Sequence, residues 1–545
     1  MDLTKRPFYL SNQDIFTIET QVKHMSDEEK IGQLFCLLGS IYSDDELDRL
    51  VTDYHVGVFL FRPLPLKELE AKWARLDSLT KYPLVKAANL EEGGIGANSQ
   101  GTYFANPLQI AAADDNKITE YFATICAVEG IQAGCNWNFA PVSDIDFNYL
   151  NPITNVRTFG SDPDKVAEHV ATFVKTSQKV GMAVACKHFP GDGVDYRDQH
   201  LHPTYNTLSV DDWYASYGNV YQATIKEDLL SIMVGHIVQP ALEQAIDPEK
   251  SPEDYLPASQ SKALLSGILR GELDFNGLII TDATIMGGYT MTMPRKEALT
   301  ATINAGCDMF CFSTDVYEDM TYLKEALVEG CLDRQRLDEA VIRILAFKTR
   351  LEQLRTTTPQ IDVASWRREA ADKAITLIKD TQNLIPVTQN RFPKIRLSLV
   401  GHDELSEGGR LSQVARDYLV NKGYEVSFYE PLNDDLHGTA NLPQDTLNLI
   451  LVNCPPASNQ TTVRINWSSK HALDMPRYVE EETYAMISFN NPYHLQDAPR
   501  IPTYINAYSP TKDTIEASLE KLLGQSDFKG ISPVDAFCGL VDTHF

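Results

Sequence analysis

Over roughly the first 350 residues, short apolar runs alternate with longer stretches whose apolar positions recur every three or four residues. The runs at 56–61, 83–89, 138–142, 182–188, 231–237, 277–281 and 308–313 are continuous in polarity and rich in Val, Ile and Phe. Continuous apolar strands are buried on both faces, as in a parallel sheet covered by helices. Between them lie helix signals. Ser26-Asp-Glu-Glu29 has the spacing of a capping box ahead of Ile31 and Leu34. Ser259 is placed to cap a helix carrying Ala263, Leu264, Ile268 and Leu269. Seven or eight such units predict an α/β fold built on a (β/α)8 TIM-like barrel. An open doubly wound sheet fits the same pattern.

A helix with Leu337, Val341, Ile344, Leu345 and Phe347 closes this first domain, placed at 1–354. The polar stretch 355–360 opens a linker and crossover helix assigned to 355–380. In 381–545, apolar runs at 397–400, 426–429, 449–452, 485–489 and 503–508 alternate with helical patterns at 411–420 and 514–523. That is the signature of a smaller three-layer α/β/α domain. Segments 441–445 and 458–462 read as surface loops.

Composition narrows the partners. Hydrophobic residues make up 43% and charged residues 23% of the 545, the balance of a globular chain. A net charge of −27 repels phosphate backbones and anionic lipid, so neither nucleic acid nor a membrane is an expected partner. No stretch of about 18 apolar residues occurs, and the first twenty residues lack a secretory pattern. Nine scattered cysteines, several in apolar runs, read as reduced thiols and a cytoplasmic location. Cys307 and Cys311 have no other ligand types beside them, so no metal site is expected.

The ends of the first-domain strands are chemically rich. Glu91 and Glu92, Asp144 and Asp146, Lys187 and His188, His236, and Asp282 all fall where a parallel barrel gathers its catalytic groups. After His188 the chain turns through Pro190, Gly191 and Gly193, glycines that permit positive φ. Asp198 and His200 are two residues apart and point the same way in an extended segment. An aspartate so placed orients an imidazole and supports its charged form. A surface loop with incidental acids has the same spacing, and Asp195 and His202 read as solvated or structural. Asp282 is either a helix cap or a nucleophile held at the rim.

The segment KHFPGDGVDYRDQH, Lys187 to His200, resembles the pattern K-H-F/I-P-G-H/L-G, four residues, then D-S/T-H. That pattern belongs to glycoside hydrolase family 3, in its bacterial β-N-acetylglucosaminidase branch. Asp192 stands where the branch has His or Leu, and Gln199 where it has Ser or Thr. NFAPVSDID (138–146), Arg157 to Gly160, and GELDFNGLIITDA (271–283) resemble further barrel segments of the family. ITLIKDTQNLIPV (375–387) and ISFNNPYHLQD (487–497) resemble its second domain. The family usually has an aspartate two residues before the Glu-Gly-Gly of its second-strand loop, where this chain has Leu90.

The resemblance implies a retaining enzyme without cofactor or metal, acting on a small carbohydrate that ends in β-linked N-acetylglucosamine. Asp282 is then the nucleophile, His200 the acid/base and Asp198 its holder, while Arg157, Lys187 and His188 bind the sugar. The second domain, with Asn490, Asn491 and His494, is expected to affect binding or stability rather than protonation. Three alternatives stay open: a phosphorylase using the same site, since a neutral imidazole does not repel phosphate; a β-glucosidase; and a non-catalytic glycan-binding protein.

Overall fold

Eight parallel strands close into a barrel in the computed structural model, which describes residues 1–354, 358–429, 443–467, 472 and 474–545. They are β1 (Phe35–Leu38), β2 (Val58–Leu60), β3 (Val85–Ala88), β4 (Trp137–Asn138), β5 (Ala183–Phe189), β6 (Ser231–Val234), β7 (Leu278–Ala283) and β8 (Met309–Cys311). Each pairs with the next in sequence, and β8 returns to β1 with Phe310 opposite Phe35 and Cys311 opposite Cys36. The barrel therefore has no edge.

The sequence pattern misses β1. Helix Asp27–Gln33 runs almost directly into it, so helical and strand apolar positions merge. Ser26 and Glu29 form the reciprocal capping box of that helix. Strand β4 is shorter than the apolar run suggests because Pro141 has no N–H to continue a ladder. Ser259 does not cap the next helix, as the pattern suggested. Its hydroxyl is engaged with His236, 2.9 Å away, and the Leu264 N–H bonds instead to Ser261 Oγ. That segment, Ala263–Glu272, closes i→i+5 turns.

The second sheet has six strands: β9 (Thr376–Asp380), β10 (Lys394–Gly401), β11 (Glu425–Phe428), β12 (Thr446–Asn453), β13 (Thr483–Ser488) and β14 (Thr503–Asn506). Their spatial order is β9-β14-β13-β12-β10-β11, with β9 antiparallel to β14 and the rest parallel. Alternate residues supply two cores, Leu449 and Leu451 on one face, Ile450 and Val452 on the other. Leu411, Leu419, Ile515 and Leu519, from helices Leu411–Asn421 and Lys512–Leu522, cover the first face. Leu495, Ala498 and Ile501 cover the second.

The chain divides into two compact units. The first is Met1–Thr102, Glu120–Asn148 and Pro163–Ile361; the second is Tyr103–Thr119, Tyr149–Asp162 and Asp362–Phe545. This differs from the division at 1–354, 355–380 and 381–545 in two ways. Tyr103–Thr119 and Tyr149–Asp162 pack with the second sheet: the Asn106 amide donates to Asn490 Oδ1 and the Tyr508 carbonyl, and Tyr149 packs near Tyr493. The presumed crossover is a helix, Val363–Ala374, followed by the edge strand β9, both parts of the second unit. Residues 355–357 of the expected linker and 441–442 of one expected loop lie outside the described residues. Among the described residues no helix is long and apolar enough to cross a membrane.

Candidate active site

All seven residues of β5 are buried, and its last turns deliver Lys187 and His188 to the C-terminal rim. Lys187 Nζ lies 2.5 Å from Glu91 Oε1 and donates to Asn89 Oδ1 at 3.4 Å, both on the loop after β3. His188 is fixed by Asp144 after β4. Its N–H donates to Asp144 Oδ1 at 3.0 Å and its Nδ1 sits 2.7 Å from Oδ2. A carboxylate can only accept, so Nδ1 carries a proton. The ring then presents Nε2 at 3.6 Å from Asp282 Oδ2, a distance of charge interaction rather than hydrogen bonding.

The chain after Pro190 turns with Gly191 at φ +119°. A Cβ there would fall 2.0 Å from the Tyr217 ring. Asp192 N–H donates to the same Asp144 Oδ1 at 2.8 Å. Asp192 Oδ2 then accepts from Gln199 Nε2 at 3.1 Å, and Gln199 Oε1 accepts from His236 N–H at 2.8 Å. The two positions that depart from the branch pattern thus hold each other.

Asp198 and His200 do form a pair, but through a turn rather than an extended segment. Leu201 N–H closes onto the Asp198 carbonyl at 3.0 Å, while Asp198 Oδ1 accepts from His200 N–H at 2.8 Å and lies 2.7 Å from its Nδ1. Asp198 is buried, whereas the His200 side chain is 25% exposed, with its Nδ1 held by Asp198. Asp195 is bound by Arg197 and by Tyr205 N–H. Burial works against its charge, but Arg197 and these donors hold its carboxyl below the usual range.

Asp282 ends β7. Burial opposes its charge, yet the imidazoles of His188, His236 and His200 and the N–H of Ala283, 2.7 Å from Oδ1, hold it below the ordinary carboxylate value. Burial pushes His236 down to about 4, so it is neutral at neutral pH. Its Nε2 donates to the Ala283 carbonyl at 3.1 Å and its Nδ1 accepts from the Ser259 hydroxyl. The loops carrying His200 and Asp282 are stapled through backbone: Gly287 N–H to the His200 carbonyl at 2.8 Å, and Gly288 N–H to the Gln199 carbonyl at 3.1 Å. A Cβ on Gly287 would strike the Leu201 carbonyl oxygen at 2.1 Å.

The barrel thus brings together Lys187, His188, Asp198, His200 and Asp282. Arg157 ends the short turn Asn155–Arg157 in the second unit, with Nη1 donating to the Ile153 carbonyl at 3.3 Å. Leu90 is buried, its N–H on Asn138 Oδ1, and its side chain points toward Gly130. The acid on this loop that reaches Lys187 is its neighbour Glu91, a pairing that spacing did not indicate. In the second unit, His494 Nδ1 lies 3.3 Å from Asp497, and Asn490 is tied to Asn453 and Asn106. Among the described residues no three His, Cys, Asp or Glu side chains are grouped as metal ligands.

A part-buried carboxylate near a strand end and an aspartate-held imidazole on the adjoining loop are the kinds of group that acid/base-assisted nucleophilic substitution uses. The family model "Glycosyl hydrolase family 3 N terminal domain" matches residues 26–347. The chain belongs to glycosyl hydrolase family 3 and is an enzyme of that family. A beta-N-acetylglucosaminidase/beta-glucosidase of Cellulomonas fimi is 38% identical over 563 residues, covering all of both chains. Beta-hexosaminidase A of Pseudoalteromonas piscicida is 27% identical over 343 residues, 58% of this chain and 57% of its own. A solved structure of the beta-glucoside phosphorylase BglX bound to 2FGlc superposes with a TM-score of 0.91 at 38% identity, covering 99% of each chain. A family 3 beta-N-acetylglucosaminidase from Paenibacillus sp. shares the fold, with a TM-score of 0.77 at 21% identity over 95% of this chain and all of that one.

Proposed function

We propose that this enzyme removes terminal β-linked N-acetylglucosamine, and glucose as a second substrate, with retention of configuration. The observation that carries this reading is the stapled pair of loops that presents an ionised Asp282 beside an imidazole held by Asp198. Asp282 attacks the anomeric carbon and the bond to the leaving oxygen breaks, giving a glycosyl-enzyme. His200 gives its proton to that oxygen and then takes one from the acceptor. Asp198 keeps the ring in place and supports its cationic form. Lys187 and Glu91 form a donor–acceptor pair suited to ring hydroxyls, with His188 as a further sugar ligand. The similarity to proteins described as a beta-N-acetylglucosaminidase/beta-glucosidase and a beta-glucoside phosphorylase supports the sugar class.

A second reading concerns the acceptor. Once His200 has given up its proton it is neutral, and a phosphate approaching the glycosyl-enzyme meets no second carboxylate at the acid/base position. The full-length likeness to a beta-glucoside phosphorylase favours this reading. The test is a set of aryl β-glycosides (N-acetylglucosaminide, glucoside, galactoside, xyloside) assayed with and without phosphate. Turnover confined to the first two supports the sugar assignment. Sugar 1-phosphate as the main product assigns phosphate as acceptor, and free sugar at every phosphate concentration assigns water.

A further inference from the structure

The loop that carries Asp198 and His200 is closed at its neck by Asp195. The Asp195 side chain is almost wholly buried. Its Oδ1 accepts from Arg197 N–H at 3.0 Å and from Arg197 Nε at 2.9 Å. Its Oδ2 accepts from Arg197 Nη2 at 2.7 Å and from Tyr205 N–H at 2.9 Å. The last of these bonds joins the start of the loop to its end. Thr204–Tyr205 is a short strand paired in parallel with Ile237–Val238, and Thr204 N–H donates to the His236 carbonyl at 3.4 Å. Asp195 therefore ties the loop to the same strand end that Gln199 reaches through His236 N–H.

Two turns of one kind follow each other in the loop. Asp195 binds the N–H of Arg197, and Asp198 binds the N–H of His200, each carboxylate bonding the backbone two residues on. Arg197 and Asp198 are adjacent, so the first turn sets the direction in which the chain enters the second, and with it the place of the imidazole. Arg197 braces the first turn from outside: its guanidinium carbon lies 5.8 Å from the centre of the exposed Tyr196 ring and 5.7 Å from that of Tyr205. A solvated ion pair would fix little. This carboxylate is instead buried, gripped by a guanidinium fork and bonded to two backbone N–H groups. Asp195 is not itself a proton donor. Burial opposes its charge, but Arg197 and the backbone donors outweigh burial and keep it ionised.

We propose that Asp195 is a positioning residue for His200, acting through Arg197 and Tyr205 N–H, a role that rests on His200 being the acid/base. The measurement is kcat/KM on two β-glycosides of the preferred sugar, one with a dinitrophenol and one with a phenol leaving group. Phenol leaves poorly and needs the proton, whereas dinitrophenol leaves almost unaided. A reacting group displaced by about 1 Å costs on the order of a hundredfold. Asp195→Ala should therefore lose at least about thirtyfold on the phenyl glycoside and less than about threefold on the dinitrophenyl glycoside. A residue that only stabilises the fold changes the fraction of active enzyme and moves both substrates alike. Equal losses on the two, or no loss on either, overturn the proposal. Should Asp195→Ala not fold, Arg197→Gln replaces it, at a side chain that is 38% exposed. It leaves the bonds from Asp195 to backbone in place, so the same bias should appear at about fivefold or more, and its absence refutes the role. His200→Ala is run in parallel. A leaving-group bias there with none in the Asp195 or Arg197 variant refutes the positioning role alone, and no bias in His200→Ala overturns the acid/base assignment together with it.

Discussion

Gln199 Nε2 donates to Asp192 Oδ2 at 3.1 Å, so the residue between Asp198 and His200 is anchored to the turn that leaves β5. Through its other amide atom Gln199 also holds His236 N–H. One side chain therefore ties together the β5 turn, the His200 loop and the strand end beneath Asp282. Gln199→Ala and Asp192→Ala should each lower kcat/KM, most on glycosides with poor leaving groups, where proton donation limits. The double variant should lose less than the two single losses combined, with a coupling of about 1 kcal/mol. Equal losses on activated and unactivated substrates would mean that the pair merely supports the loop's stability.

The Glu91–Lys187 contact predicts where sugar affinity resides. Glu91→Gln removes the charge beside a lysine that is almost wholly buried. We expect KM to rise at least about tenfold on the preferred aryl glycoside, or roughly 1.4 kcal/mol. A substrate lacking the hydroxyl that Glu91 accepts should be affected much less. Tm should fall as well, because a buried cation loses its partner. If every deoxy analogue loses as much as the parent sugar, Glu91 does not touch substrate.

His236 predicts a pH dependence of stability. Its folded value, about 4, lies below the ordinary imidazole value of about 6.5. Between those two values the unfolded chain binds a proton that the native ring does not, so stability declines as pH falls through that window. Between pH 7 and 5 the difference is on the order of 2 kcal/mol. His236→Phe should be less stable at pH 7, having lost its contacts to Ser259 and the Ala283 carbonyl, and should lose correspondingly less on acidification. Denaturant melts at the two pH values provide the check. An identical acid-induced loss in the variant would show that His236 is not the titrating group.

The barrel is legible in this sequence because buried parallel strands are continuous in polarity, and seven of the eight stand out from their helices. Strand β1 does not, since helix Asp27–Gln33 feeds it with apolar residues of both periods. The edge strand β9 is obscured similarly: it follows helix Val363–Ala374 after one residue, and the pair reads as a single crossover. At the site, the family-like segments 187–200 and 271–283 point to Lys187, His188, Asp198, His200 and Asp282, with Asp198 as the holder of His200, but not to what holds the others. Asp144 and His236 are visible as polar strand ends. Their partners, His188 for one and the Ala283 carbonyl for the other, depend on which strands are neighbours in space. Leu90 and Glu91 show the same limit, since which of two adjacent residues faces Lys187 is set by how the loop turns.

Asp282→Asn tests the nucleophile. The amide is nearly isosteric, so the fold should survive, while turnover should fall at least about a thousandfold, roughly 4 kcal/mol of barrier. In the parent, the depressed value of Asp282 keeps its nucleophilic form present below the usual carboxylate range. Loss of kcat/KM at mildly acid pH should therefore not come from Asp282. Near-normal activity in the variant would reduce Asp282 to a helix cap.

The most direct measurement is the product made by His200→Ala in azide with a dinitrophenyl β-glycoside. Such a leaving group departs almost unaided, so the glycosyl-enzyme should form in a burst and then turn over slowly for want of a base. Azide needs no deprotonation; it should restore the rate and yield the β-glycosyl azide, the product of two inversions at the anomeric carbon. An absence of both burst and rescue, or an α-glycosyl azide as product, would contradict a glycosyl-enzyme on Asp282 served by His200.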